Sequence, residues 1–129
     1  MIKESFNQLA NYDQIVESLL KEIPQTIALM ILDNEGNLIR HNVSKSFENK
    51  IDSTELEFYS KLIGLRYKIV DFHKILNGLE ITINVFKNNC LFVTSLNSNY
   101  TIAILTEKAD VEKTRKIIFK IKKEYNVYY

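Results

Sequence analysis

The sequence predicts an α+β fold, a five-stranded antiparallel sheet with the terminal helices on one face and a long central helix on the other. Three observations lead there. Helical and strand periodicities follow one another in the order α-β-β-α-β-β-β-α. The last three strand segments are joined by very short turns, which makes them an antiparallel meander. The first strand segment, Thr26 to Leu32 (TIALMIL), is apolar on both sides, as a mid-sheet strand covered on both faces requires.

Ser5 to about Glu22 reads as the first helix. Ser5 and Gln8 have capping-box spacing, and Phe6, Leu9, Ile15, Val16, Leu19, Leu20 and Ile23 keep mostly to one face. Pro24 ends it, because the residue before a proline is pushed out of the α region. After the first strand, Asp33-Asn34-Glu35-Gly36 is a tight turn with Gly36 free to take positive φ. Asn37 to Val43 returns as a strand whose Arg40, His41 and Asn42 suit an edge. Ser44 to Ile51 is a polar connection.

The central helix runs from Asp52, capped by Asp52 with Glu55 or by Ser53, to Asn77-Gly78. It carries two apolar stripes. Phe58, Leu62, Leu65, Ile69, Phe72 and Leu76 form one, suited to covering the sheet; Leu56, Tyr59, Ile63, Tyr67 and Val70 form a second that wants another partner. Glu57, Ser60, Lys61, Gly64, Lys68 and Asp71 gather on the remaining, polar face. Leu79 to Phe86 then alternates as a strand, with Leu79, Ile81, Ile83 and Val85 on one side. Strands over Cys90–Leu96 and Tyr100–Thr106 are separated by Asn97-Ser98-Asn99. A final helix from Asp110 to about Asn126 buries Val111, Thr114, Ile117, Ile118, Ile121 and Tyr125. Lys113, Lys116, Lys120 and Lys123 lie opposite and read as a solvated face. Tyr125, Tyr128 and Tyr129 make the end of the chain more apolar than a free tail, suited to folding back on the sheet or to meeting a partner.

Residues 1–129 are long enough for one domain with a real core. A net charge of +1 argues against global attraction to nucleic acid or acidic membranes, leaving only a local patch open. A single Cys gives no disulfide framework and no zinc thiolates, which fits a cytoplasmic location. No apolar run is long enough to cross a bilayer, and the first residues lack a signal peptide's apolar segment, so neither membrane insertion nor export is expected.

Catalytic constellations are missing from the sequence. His41 and His73 have no metal-like spacing to another ligand, and His73 reads as a partly buried or interfacial polar residue near Arg66. Cys90 reads as a small core residue. Gly36, Gly64 and Gly78 are isolated, so there is no phosphate loop; the carboxylates of the Asp33–Glu35 turn lack calcium-loop spacing. The expectation is a protein that is not an enzyme and needs no cofactor or metal.

The segment Ile23-Pro24 through Asn42 (IPQTIALMILDNEGNLIRHN) resembles the Roadblock family, whose members carry an Ile-Pro lead into an apolar strand, an Asp-x-x-Gly turn and a returning strand; Gln25-Thr26 stands where Gly-Val is usual. Val85 to Leu105 is similar to the family's hairpin before a C-terminal amphipathic helix. The family includes dynein light chains, the bacterial gliding-regulator partner of a Ras-like GTPase, and lysosomal scaffold subunits. The resemblance implies a Roadblock/profilin-like fold. It also implies pairing through the central helix and the strand after it, with the chain itself or a related Roadblock chain, so that two sheets join into one. The residues expected at that interface are Leu56, Tyr59, Ile63, Arg66, Tyr67 and Val70 with Ile81, Ile83 and Val85. The function implied is a non-enzymatic scaffold or regulator of a small Ras-like GTPase. Two other classes fit the same element order more loosely. One is a profilin-like or PAS/GAF-like ligand sensor, which would need a cavity with polar groups such as Arg66 and His73. The other is a longin-like trafficking subunit.

Overall fold

A computed structural model describes residues 2–71, 81–96 and 99–125, with side chains other than those of residues 2–11, 53 and 65–71. The elements follow the expected order: α1 (Ile2–Glu22), β1 (Thr26–Asp33), β2 (Leu38–Val43), α2 (Ser53–Asp71), β3 (Ile81–Val85), β4 (Asn89–Ser95), β5 (Tyr100–Glu107) and α3 (Val111–Glu124). The strands form one sheet in the order β2-β1-β5-β4-β3, with every pairing antiparallel. The expected meander, the edge position of β2 and the central position of β1 are all present.

The alternation of side chains along the strands builds two cores. Leu29 and Ile31 of β1, Phe92 of β4, and Ile102 and Ile104 of β5 pack under α1 and α3, against Ile15, Leu19, Ile118 and Ile121. Ala28, Met30 and Leu32 of β1, Val93 of β4 and Ala103 of β5 point the other way, toward Leu56 of α2. Cys90 is fully buried, on the α1–α3 side. Ser95 has a buried hydroxyl without a hydrogen-bond partner among the described residues.

Local chemistry explains where the elements start and stop. Asp52 Oδ1 accepts the Glu55 backbone N–H at 2.8 Å, which makes Asp52 the cap of α2. Asp110 does the same for α3, accepting the Lys113 N–H at 3.0 Å. The Asp33 carboxylate organises the β1–β2 turn. It accepts the backbone N–H groups of Glu35 and Asn37 and the Asn37 side-chain amide, each at 2.9 Å. Its lone pairs are thus used within the turn. Burial alone would raise the Asp33 pKa, but these hydrogen bonds and nearby Lys61 outweigh it and hold the carboxyl below the usual value.

Three details depart from expectation. The helix α1 begins at Ile2, so Ser5 lies inside it rather than capping it. The connection after β2 contains a short 3-10 helix, Lys45–Phe47, and is less polar in its packing than in its composition: Phe47 and Ile51 pack against the α2-side core. The third departure is the rotation of α2. Ser60 and Gly64 face inward instead of lying on the polar face. Ser60 is fully buried, its hydroxyl 3.0 Å from the Gly36 carbonyl and 2.8 Å from the Glu57 carbonyl of its own helix. A β-carbon built on Gly64 would sit 2.5 Å from Gly36 Cα, and Gly36 itself has φ +81°. Helix and turn therefore meet backbone to backbone, which only glycine permits at this distance. The expected end of the central helix at Asn77-Gly78, the strand residues Leu79 and Glu80, the Asn97-Ser98 turn and the terminal Tyr128 and Tyr129 lie outside the described residues.

Two outcomes test this seat. On an exposed helix face Gly64→Ala would stabilise by about 1 kcal/mol; here it should lower the melting temperature by about 4 °C or more, because overpacking costs about 1–3 kcal/mol. A rise in melting temperature would show that the two backbones do not touch. Asp33 has a lowered folded-state pKa, so its contribution is complete above its unfolded value of about 4 and fades as pH falls through the lowered one. The stability difference between wild type and Asp33→Asn in urea titrations should accordingly close on acidification below about pH 4. A gap independent of pH would contradict the charge-based role.

Candidate interface beside the central helix

The inward set on α2, Leu56, Ser60, Ile63 and Gly64, places the helix over β1 and β2. A five-stranded sheet is about 24 Å wide and a packed helix about 10 Å across. The opposite face carries two helices, α1 and α3, and this face carries one. Among the described residues, the part of this face beyond α2 is a groove of about 550 Å³. Ile27 and Met30 of β1, Leu105 of β5 and Leu91 of β4 floor it; Tyr59, Leu62 and Ile63 of α2 wall one side, and Phe47 and Ile51 close one end. Lys50, Glu55 and Asn89 supply its few polar groups.

The rim is apolar as well. Phe58 is 62% exposed, Leu62 50% and Tyr59 42%, although all three lie on a helix packed against a sheet. Phe86, just past the edge strand β3, is 52% exposed; Val85, paired with Cys90, is 55% exposed but on the α1–α3 side of the sheet. The rings of Phe58 and Tyr59 meet edge to face, with centroids 6.1 Å apart. The Tyr59 hydroxyl donates to Glu55 at 3.4 Å, and Lys108 donates to the Phe86 carbonyl at 3.0 Å. An apolar cluster of this size around a groove is unusual on the surface of an isolated domain.

The expected interface residues fall into five groups. Tyr59 lies exposed on the groove wall and Val85 lies exposed at the end of β3. Ile63 is half-buried, lining the groove while packing on the core. Leu56 is only 1% exposed, so it is a core residue of its own subunit and has no surface to offer. Ile81 and Ile83 are half-buried and pack on the α1–α3 side, away from α2. The side chains of Arg66, Tyr67 and Val70, and all of His73, lie outside the described residues. Phe58 and Leu62, which the sequence assigned to covering the sheet, are exposed, as is Phe86. The available signal was the small pair Ser60 and Gly64 at i, i+4. Small residues let backbones approach, and once they are placed inward Phe58 and Leu62 must turn out.

The groove is lined mainly by apolar side chains, with Lys50, Glu55 and Asn89 its polar groups. Among the described residues no group of His, Cys, Asp and Glu is arranged to hold a metal ion. The Tyr12 hydroxyl is pushed up to about 12, by burial and then by Tyr100, and it lies on the opposite side of the sheet. No helix among the described residues is long and apolar enough to cross a membrane.

Neither a family sequence profile nor a curated protein matches the chain. Solved structures do. The gliding protein MglB of Thermus thermophilus superposes with a TM-score of 0.74 at 12% identity, over 92% of this chain and 87% of that one. An MglB with a tetrameric arrangement gives 0.68 at 15% identity, over 90% and 93%. A Roadblock/LC7 domain from Streptomyces avermitilis gives 0.68 at 17% identity, over 88% and 93%. The chain has the Roadblock/LC7 fold.

The rotation of α2 sets a contrast that unfolding can measure. Leu56→Ala should cost about 2–5 kcal/mol, as truncation of a buried leucine does. Phe58→Ser should stay within about 0.5 kcal/mol at concentrations where the chain is a single copy. Equal costs at the two positions would put the helix in a different rotation.

Proposed function

We propose that this chain, which has the Roadblock/LC7 fold, is a cytoplasmic, non-enzymatic module that pairs with a second copy or a related chain and holds a small Ras-like GTPase. The observation that carries the reading is the exposed apolar surface beside α2, Phe58, Tyr59 and Leu62 around the groove with Phe86 at its far end. It is continuous with the free edge of β3, so one partner can extend the sheet and cover the groove together. Similarity to MglB, one structure of which has a tetrameric arrangement, supports self-association. The interface is accordingly drawn with Phe58, Tyr59, Leu62 and Phe86, with Val85 beside it on the other face of the edge strand. Leu56 is left out. A regulator of this type works by binding one conformation of its target's mobile segments better than another, which needs no reactive group of its own.

The volume and apolar lining of the groove favour a second reading, a site for a small apolar ligand. The two differ in what fills the groove.

Analytical ultracentrifugation of wild type and Leu62→Glu tests the first. The wild type should sediment as two or more copies. The variant should sediment near the 15.1 kDa of one chain with an unchanged circular dichroism spectrum, since Leu62 is half in water already. Leu62 is a better probe than Ile63, where a charge would also disturb the core. Nucleotide-loaded GTPases from the source cell should be retained by the wild type and their GTP hydrolysis or exchange altered. A wild type of single-chain mass that retains no GTPase, and melts higher with a small apolar compound, replaces this reading with the second.

A further inference from the structure

The outer surface of α3 carries a charge pattern that the groove does not use. Lys113, Lys116, Lys120 and Lys123 are all exposed. At 100° per residue they fall within an arc of about 80°, centred opposite the buried stripe of Thr114, Ile118 and Ile121. The stripe is about 15 Å long. None of the four lysines makes an ion pair with a described residue; the ion pairs there are Arg40–Asp13 and Arg115–Glu112. The flanking carboxylates offset them only in part. Glu112 pairs with Arg115 at 2.9 Å and also acts on Lys116, and Asp110 caps the helix. Glu124 stands about 20° beyond the arc, one turn after Lys120. On the neighbouring helix, Gln14, Glu17, Lys21 and Glu22 are exposed and bring one net negative charge. A chain of net charge +1 thus concentrates four positive charges on one line.

We infer that this stripe docks the protein on an anionic phospholipid surface. The shape of the stripe selects that partner. A single convex helix meets a plane with all four ammonium groups at once. It has no exposed aromatic side chain for base stacking, since Phe119 is half-buried with Arg115 and Lys122 near its ring. It has no concavity to hold an acidic loop. The contact is with headgroups, and no apolar side chain enters the bilayer. Each lysine near an anionic leaflet contributes about fivefold to partitioning, and the attraction fades within about 10 Å at moderate salt. The α2 groove, on the other side of the sheet, would then face away from the membrane. The inference does not depend on the partner that fills that groove.

Co-sedimentation of the full chain with vesicles tests it. Phosphatidylcholine–phosphatidylglycerol vesicles should pellet the protein at low salt and release it at high salt, and phosphatidylcholine vesicles should not pellet it. Lys116→Gln with Lys120→Gln should weaken binding about 25-fold with unchanged mass and circular dichroism. Lys45→Gln with Lys87→Gln, in the 3-10 helix and the β3–β4 turn, should leave it unchanged. Binding that ignores headgroup charge, binding undiminished in the α3 variant, or retention by duplex DNA without vesicle binding would each overturn the inference.

Discussion

The arrangement of the molecule depends on the seat of α2 against the β1–β2 turn. Gly64 and Gly36 meet with no room for a β-carbon, and the Ser60 hydroxyl reaches the Gly36 carbonyl. A helix can usually rotate by tens of degrees and still bury something. This one cannot, because turning Gly64 away would drive a larger residue into the turn. The contact therefore fixes which residues become core and which become surface. Leu56 goes inside, where full burial of such a side chain contributes about 1.5–3 kcal/mol. Phe58, Tyr59 and Leu62 go outside, and their apolar area stays largely in water.

A second constraint is one of width. Two helices, α1 and α3, cover one face of the sheet, and the single helix α2 is drawn over β1 and β2 by the turn it grips. Among the described residues, Phe47 and Ile51 close one end of the other half of that face and Phe86 lies at the other, and the groove runs between them. The polar strand β2 ends the sheet on one side. On the other, β3 ends it next to the exposed Val85 and Phe86. The two sheet edges are unlike, and the apolar one adjoins the groove.

What could be read from the sequence was what local rules decide. The double-sided apolarity of TIALMIL marked β1 as central, the short turns marked the meander, and Asp33 with Gly36 marked the hairpin. The rotation of α2 was not legible from its periodicity. Two apolar stripes with the same spacing satisfy the helical pattern equally well, and the choice between them was made by Gly36, far away in the sequence. Tyr59 and Val85 were placed on the surface in either rotation, whereas Leu56 changed sides. Phe47 and Ile51 escaped notice because they sit among polar neighbours and form no periodic run. The Lys113–Lys123 stripe was visible as a pattern. Whether its charges were paired depended on neighbouring elements.

Magnitudes bear on how such a surface could serve a regulator. Phe58, Tyr59, Leu62 and Phe86 are each about half exposed, so covering these four on one copy yields about half of their full burial value, on the order of 3–6 kcal/mol. Swinging a two-state target from almost wholly one form to almost wholly the other needs a differential of about 5.5 kcal/mol. Association itself costs at least about 4 kcal/mol in lost freedom. This surface can therefore supply one assembly step. If it joins two copies, any further partner must be held by other residues. Were those residues shared between the copies, binding of the partner and pairing of the module would be coupled, each strengthening the other by the same factor.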